Sequence, residues 1–280
     1  MDEAARGRQV PQRRRVKLGT HATLTLALAL SDTAKRRVAA LVLERPIIGT
    51  AGWSIPKDVS GSFPGGGSNL ERYARQFVGS EINSTFYRSH RTSTYERWRK
   101  SVPDWFRFAV KIPRRISHEK CLVEASNDFD MFLTETSSLG DARGPLLLQL
   151  PPSLVFDDLS APTFFDDVRQ RYEGDFVLEA RNASWFNPPV DDMLERYRVT
   201  RVRADPPRGG TETLSASAGL HYLRLHGSPR VYFSSYEASK LEGIARYALA
   251  SPGRYWIVFD NTASGAATAN ALQLKALLAA

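Results

Sequence analysis

A chain of 280 residues, 42% hydrophobic and 24% charged, has the makeup of a globular protein with room for one large domain or two small ones. No apolar run is long enough to cross a bilayer, and a single cysteine, Cys121, excludes an internal disulfide and fits a reducing, cytoplasmic setting. The net charge of +8 is concentrated at one end: residues 1–45 hold ten Lys and Arg against four acids, which leaves only +2 for the rest, so charge alone does not demand a nucleic-acid partner.

In chain order, residues 1–20 lack apolar periodicity, and 21–30 (HATLTLALAL) are a short apolar run behind a basic one. That order resembles an export signal, but the apolar part is minimal and basic residues return at 35–37, so an extension outside the fold is the preferred reading. The regular pattern starts at residue 46. A strand at 46–49 is followed by a glycine-rich loop at 60–68 and a helix at 69–77 capped by Asn69. A second strand opens at Val78 and runs into a polar end, EINSTFYR, over residues 81–88. Further strands are predicted at 106–112, 145–150, 175–180, 200–204, 220–225 and 255–259. Helices are predicted between most of them, at 93–101, 125–139, 162–172, 190–197 and 237–249, with a closing helix at 266–278. Eight strands alternating with helices over about 235 residues is the pattern of a TIM (β/α)8 barrel. A doubly wound open sheet is the alternative, but no GxGxxG follows the first strand. The expected organisation is a basic extension, 1–45, and a single barrel domain, 46–280.

In a barrel the working face is the C-terminal end of the strands. That face would carry Trp53, Glu81, Asn83, Tyr87, Lys111, His118, Gln149, Glu179, Arg181, Trp185, Asp205, Arg224, His226, Asp260 and Asn261. Singly each has a bland explanation: Glu179 and Arg181 share a strand face and could simply pair, and the tryptophans could be packing. Polar or aromatic groups at all eight strand ends point instead to one concave ligand site.

Several motifs, GTAGW at 49–53, EINSTFYR at 81–88, YERW at 95–98, FRFAVKIP at 106–113 with His118, LQLPP at 148–152, LEARNASW at 178–185 and LRLHG at 223–227, together resemble the YecE-like family of TIM-barrel proteins. The resemblance spans about residues 46–280. It implies a xylose-isomerase-like barrel but no activity, because the family is a domain of unknown function. This chain departs from the family pattern at Ile55 and Pro56, at the glycines 65–67 and at Asp260, where asparagine is common.

The preferred chemistry is acid–base work by Glu179, His226, Lys111 and Asp205 on a phosphate- or hydroxyl-rich substrate, of hydrolase or isomerase type. Substrate contacts are expected from Trp53, Glu81, Asn83, Tyr87, His118, Gln149, Arg181, Trp185, Arg224 and Asn261. Ser264 and Gly265 are expected to help form an anion site before the last helix. A divalent metal held by Glu81, Glu179, Asp205 and His226 is the weaker enzymatic option, since no HxH or HExxH spacing occurs; no metal ligand is assigned and the cofactor is unknown. The alternative class is a non-catalytic module for nucleic acid or a phosphorylated ligand, with Trp53, Tyr87, Trp185, Tyr232 and Tyr236 stacking among cations. A small-molecule or nucleic-acid-derived partner and no membrane partner are expected. Glu179, Arg181 and Lys111 are expected to form a functional charge cluster in which Glu179→Gln costs little stability.

Overall fold

The computed structural model describes residues 45–209 and 219–279, all within one unit, Val38–Ala280. The extension expected over 1–45 therefore lies outside the described residues, apart from Arg45. The strands are β1 (Ile47–Thr50), β2 (Gly79–Ile82), β3 (Arg107–Lys111), β4 (Arg143–Gln149), β5 (Phe176–Glu179), β6 (Val199–Arg201), β7 (Arg203–Asp205), β8 (Leu220–Leu225) and β9 (Arg254–Phe259). One sheet has the order β1-β9-β8-β7 and the other β2-β3-β4-β5-β6. Every pairing is parallel.

The sheets meet at two junctions. At Val202 one strand changes partner: β6 pairs with β5, β7 pairs with β8, and the Val202 N–H between them still reaches Leu178 O at 2.8 Å. At the other junction Ala51 forms a parallel bridge with Glu81, and the Gly52 N–H donates to Glu81 O at 2.8 Å. Counting β6 and β7 as one position, the eight expected strands follow one another in chain order across both junctions, as in a TIM barrel.

The helices are α1 (Asn69–Tyr73), α2 (Thr92–Lys100), α3 (Ser126–Thr136), α4 (Ser160–Arg171), α5 (Pro188–Arg196), α6 (Ala238–Ala250) and α7 (Ala266–Ala279). Among the described residues no helix separates β7 from β8. The first helix differs from its sequence reading, being capped by Ser68 rather than Asn69 and ending at Tyr73. Ser68 wins because Glu71 sits three residues on: the Glu71 N–H donates to Ser68 Oγ and the Ser68 N–H donates to Glu71 Oε2 at 2.6 Å, a reciprocal capping box.

Strand alternation sorts two cores. Outward residues such as Phe108, Leu146, Leu148, Leu178, Ile257 and Phe259 pack with the helices, and inward residues Ile47, Ala109, Leu147, Val177, Val202, Leu220, Tyr222, Trp256 and Val258 pack with each other. The Trp256 indole fills the lower interior, and two glycines make room for it. A Cβ on Gly144 would lie 2.8 Å from Trp256 Cζ2, and one on Gly79 would lie 2.4 Å from Ile47 Cγ2 and 3.3 Å from Trp256 Cζ3. Gly49 serves the backbone instead, since a Cβ there would stand 2.2 Å from the Gly79 carbonyl oxygen on the neighbouring strand. A carbonyl in a ladder cannot swing aside. Gly49→Ala is therefore expected to destabilise the protein by about 3 kcal/mol, at the upper end of ordinary overpacking costs. A urea midpoint unchanged from the parent would contradict that packing.

Candidate functional site

Above the Trp256 floor, the inward positions turn from apolar to charged. Glu81 is the penultimate residue of β2, Lys111 ends β3, Gln149 ends β4 and Glu179 ends β5, while Arg224 lies in β8 and His226 and Asp260 directly follow β8 and β9. All seven are buried, and Glu81, Arg224 and His226 have no solvent exposure. Two-residue periodicity places most of them there: Lys111, Gln149, Glu179, Arg224 and Asp260 each lie two positions beyond an apolar inward residue, as Glu179 does beyond Val177 and Asp260 beyond Val258, and His226 lies two beyond Arg224.

Arg224 is the hub. Its Nε and Nη2 donate to the two Glu81 oxygens at 3.0 and 2.7 Å, its Nη1 donates to Glu179 Oε2 at 2.7 Å, and Nη2 also lies 3.0 Å from Asp260 Oδ2. Arg181 holds Glu179 from the solvent side, with Nε and Nη2 at 2.8 and 2.6 Å from Oε1, and Nη2 also reaches Gln149 Oε1 at 3.1 Å. The Tyr222 hydroxyl, at the boundary with the floor, donates to Glu81 Oε2 at 2.9 Å. His226 Nδ1 is 3.0 Å from Asp260 Oδ2. Its Nε2 lies 3.3 Å from Glu179 Oε1, yet is not aligned for a hydrogen bond and has no other partner.

These neighbours set the protonation states. Burial pushes the Glu179 carboxyl up, but Arg224, His226 and Arg181 overcome it and hold the acid well below the usual carboxylate range. Asp260 is lowered in the same way, burial being outweighed by Arg224 and by the bond from His226. His226 moves upward: burial opposes its charge, and Glu179 and Asp260 more than restore it. Lys111 moves the other way. Burial first, then the Arg224 charge, bring it from 10.5 to about 8 despite Glu81, Glu179 and Asp260. Among the described residues its ammonium makes no hydrogen bond or ion pair; it rests 4.0 Å from the centre of the Phe86 ring.

The other sequence-expected residues divide. Asn83, two residues past Glu81, leaves its buried Oδ1 without a partner. His118 bonds Ser117 Oγ through Nδ1 at 2.8 Å and packs its ring against Phe86. Burial and the charges of Lys111, Arg114 and Arg181 lower its pKa. Tyr87 is 71% exposed and touches Phe86 edge-on.

Six residues are engaged elsewhere. Trp53 packs against Trp98 and Phe108 in the outer core. Trp185 is sealed beneath the surface, its Nε1–H donating to Leu154 O at 2.9 Å. Asp205 has the outward parity of Leu223 and Leu225, pairs with Lys240 and accepts from the Tyr236 hydroxyl at 3.2 Å; it lines a groove of about 210 Å3 against α6, outside the barrel interior. Asn261 donates to Ser234 O and Asn270 Oδ1 at 2.9 and 3.0 Å. At the expected anion loop, Ser264 Oγ donates to Phe233 O at 2.5 Å and the Gly265 N–H to Thr262 O at 3.1 Å, so both donors are already satisfied. Ser264 and Gly265 belong to the loop's own scaffolding.

Sequence reasoning left Tyr222 out of the site, placed Asp260 at the working face without its role as the partner of His226, and offered Tyr232 only as a stacking residue of the nucleic-acid alternative. Tyr222 and Asp260 share the inward parity of Arg224 and Val258, a signal that could have found them. Tyr232 could not be found that way, because it lies in a loop, at φ 69°, with its ring 5.7 Å from that of His226. Among the described residues no group of three or more His, Cys, Asp or Glu is disposed to hold a metal ion, and no helix is long and apolar enough to cross a membrane.

The model for the family described as "Protein of unknown function DUF72" matches residues 47–280. The chain belongs to the DUF72 family. It is 32% identical over 179 residues to the UPF0759 protein YecE of Escherichia coli K12, a match covering 64% of this chain and 62% of that one. It is 27% identical over 150 residues to YunF of Bacillus subtilis, covering 51% and 52%. The chain thus spans less than two thirds of the length of the curated relatives it matches. Crystal structures of DUF72 proteins from Thermotoga maritima and Enterococcus faecalis superpose with a TM-score of 0.70 in each case, at 21% and 18% identity, covering 84% and 83% of this chain and 99% and 94% of theirs. That likeness supports the fold.

Two substitutions separate the roles within the cluster. Glu179 proves to be bonded to two arginines, so the expectation that Glu179→Gln is cheap is reversed: it leaves a buried Arg224 underpaired and should cost roughly 3 kcal/mol at pH 7. The carboxylate's contribution is present above its unfolded value near 4.5 and lost as the pH falls through the depressed folded value, so the penalty should vanish in acid. Lys111→Met should do the opposite. With a folded value of about 8 against 10.5, the buried ammonium costs up to about 3 kcal/mol below pH 8, and this cost disappears between 8 and 10.5. The variant should therefore melt higher than the parent at pH 7 and converge with it at pH 10.5.

Proposed function

We propose that the barrel mouth is catalytic and that the protein is an enzyme of hydrolase or isomerase type, acting on a small hydroxyl- or phosphate-bearing substrate. One observation carries the reading: Lys111 is a buried cation that no carboxylate neutralises, although three buried carboxylates stand in the same cluster. Those carboxylates are engaged by Arg224, Arg181 and His226, which leaves the ammonium for a ligand. A fold that buries such a charge pays in stability, the pattern of a binding or catalytic group rather than of a scaffold. In the same cluster His226, raised by Glu179 and Asp260 and held by Asp260 through Nδ1, is a group able to carry a proton. Asn83 Oδ1 and His226 Nε2, buried and without hydrogen-bond partners, are the kind of unsatisfied polar groups that a functional site tolerates.

A second reading, a nucleic-acid or phosphorylated-ligand module, draws on the exposed rim aromatics Tyr87, Tyr232 and Phe233, the last with Arg230 3.9 Å above its ring. Thermal shift decides between the two. A ligand at a hundred times its Kd adds ~2.7 kcal/mol, or roughly 5–10 °C for a domain of this size. Glycerol 3-phosphate or glucose 6-phosphate should raise the melting temperature of the parent and not that of Lys111→Met. A shift seen only with single-stranded oligonucleotide, and lost steeply with salt, would favour the module. No shift with any of these would remove the catalytic reading.

A further inference from the structure

We infer that Lys111 is a nucleophile that joins a carbonyl-bearing substrate through an imine. The inference rests on the reading of the mouth as catalytic and assigns that site its substrate class: small aldehydes or ketones carrying a hydroxyl, carboxylate or phosphate group. Three observations converge. First, Lys111 is the last residue of β3, pointing into the mouth from a rigid strand whose backbone is pinned by the Thr85 hydroxyl donating to Lys111 O at 2.5 Å. A nucleophile needs that fixed position.

Second, the amine is uncommitted. Asn83 Oδ1 and His226 Nε2 are unpartnered but sealed, whereas Lys111 Nζ, which also lacks a partner among the described residues, is not shut off from solvent. On one side it meets only the Phe86 ring face, which tolerates a cation and offers no hydrogen bond to break. Third, its surroundings favour the neutral amine, about 8 being the value at which burial and Arg224 balance the acids. At pH 7.5 that leaves roughly two hundredfold more neutral amine than on an ordinary lysine.

The step balances within the site. The Nζ lone pair adds to the carbonyl carbon, and the C=O π electrons move to oxygen. The oxygen then leaves as water with the two hydrogens the amine gives up, and a C=N bond remains. Protonated, that bond is an electron sink for breaking a neighbouring C–H or C–C bond, the chemistry of an isomerase or a lyase. Glu81, Glu179 and Asp260, whose charges act favourably on the Lys111 cation, would favour the iminium equally. His226 is the acid–base group available for the displaced proton.

Reductive trapping of the full-length protein tests this. The protein is incubated at pH 7.5 with dihydroxyacetone phosphate or pyruvate and sodium cyanoborohydride, then analysed by intact mass and peptide mapping. The expected result is one reduced adduct per chain, on Lys111, absent from Lys111→Met and formed with a pH midpoint near 8. The melting temperature confirms that the variant is folded. Adducts scattered over surface lysines overturn the inference, as does a pH midpoint near 10. Glycerol 3-phosphate, which has no carbonyl, is the control for the site itself. If it shifts the melting temperature while no adduct forms on Lys111, the imine is wrong and the catalytic reading stands. If it neither binds nor is any adduct formed, both fall.

Discussion

Burying three carboxylates in one barrel is tolerable only because a single guanidinium reaches all of them. The five donors of Arg224 lie in one plane and fan out to Glu81, Glu179 and Asp260, each from a different strand, so one charged group fixes three strand ends relative to one another. A lysine could not replace it, since a point charge on a flexible stem cannot meet two carboxylates in fork geometry. Removing any partner strands a charge where water cannot follow, which makes the mouth an all-or-nothing assembly.

The cations in this assembly are unequal. Arg224 and Arg181 are spent on carboxylates, and their own acidity is pushed further away from neutrality by those partners. Lys111 receives the field of the same acids without touching any of them, and Arg224 opposes it. The outcome is a permanently charged frame surrounding Lys111, brought down to about 8, and His226, raised by the acids around it. Frames of this kind keep their geometry while protons move, which is a requirement of acid–base catalysis.

Below the frame the interior has no polarity to spare. Trp256 and its neighbours close the lower barrel, and the stacked Tyr222, with its ring 6.1 Å from that of Trp256 and its hydroxyl on Glu81, joins the two layers. A ligand can therefore approach the cluster only from the side of the loops that follow the strands. Tyr232 stands on that side, over His226, held at a positive φ that a non-glycine residue adopts only under constraint.

Much of this was legible in the linear chain. Alternation of apolar and polar residues marks each strand and its inward parity, so Glu81, Lys111, Gln149, Glu179, Arg224 and His226 could be placed at the C-terminal face of one barrel without coordinates. The same rule misjudged Trp53, Trp185 and Asp205, because a strand-end position says nothing of side once the chain bends into a loop or carries outward parity. The loop donors of Ser264 and Gly265 also looked available, and only the fold shows that Phe233 and Thr262 already accept from them. What the sequence determined by itself is the alternation of elements, and with it the barrel order, because backbone periodicity is a local property. The pairing of charges was decided by tertiary structure alone. Whether Glu179 meets Lys111 or Arg224 depends on angles and distances across a barrel between residues far apart in the chain, and burial turns those few ångströms into the difference between a neutralised arginine and an unpaired lysine.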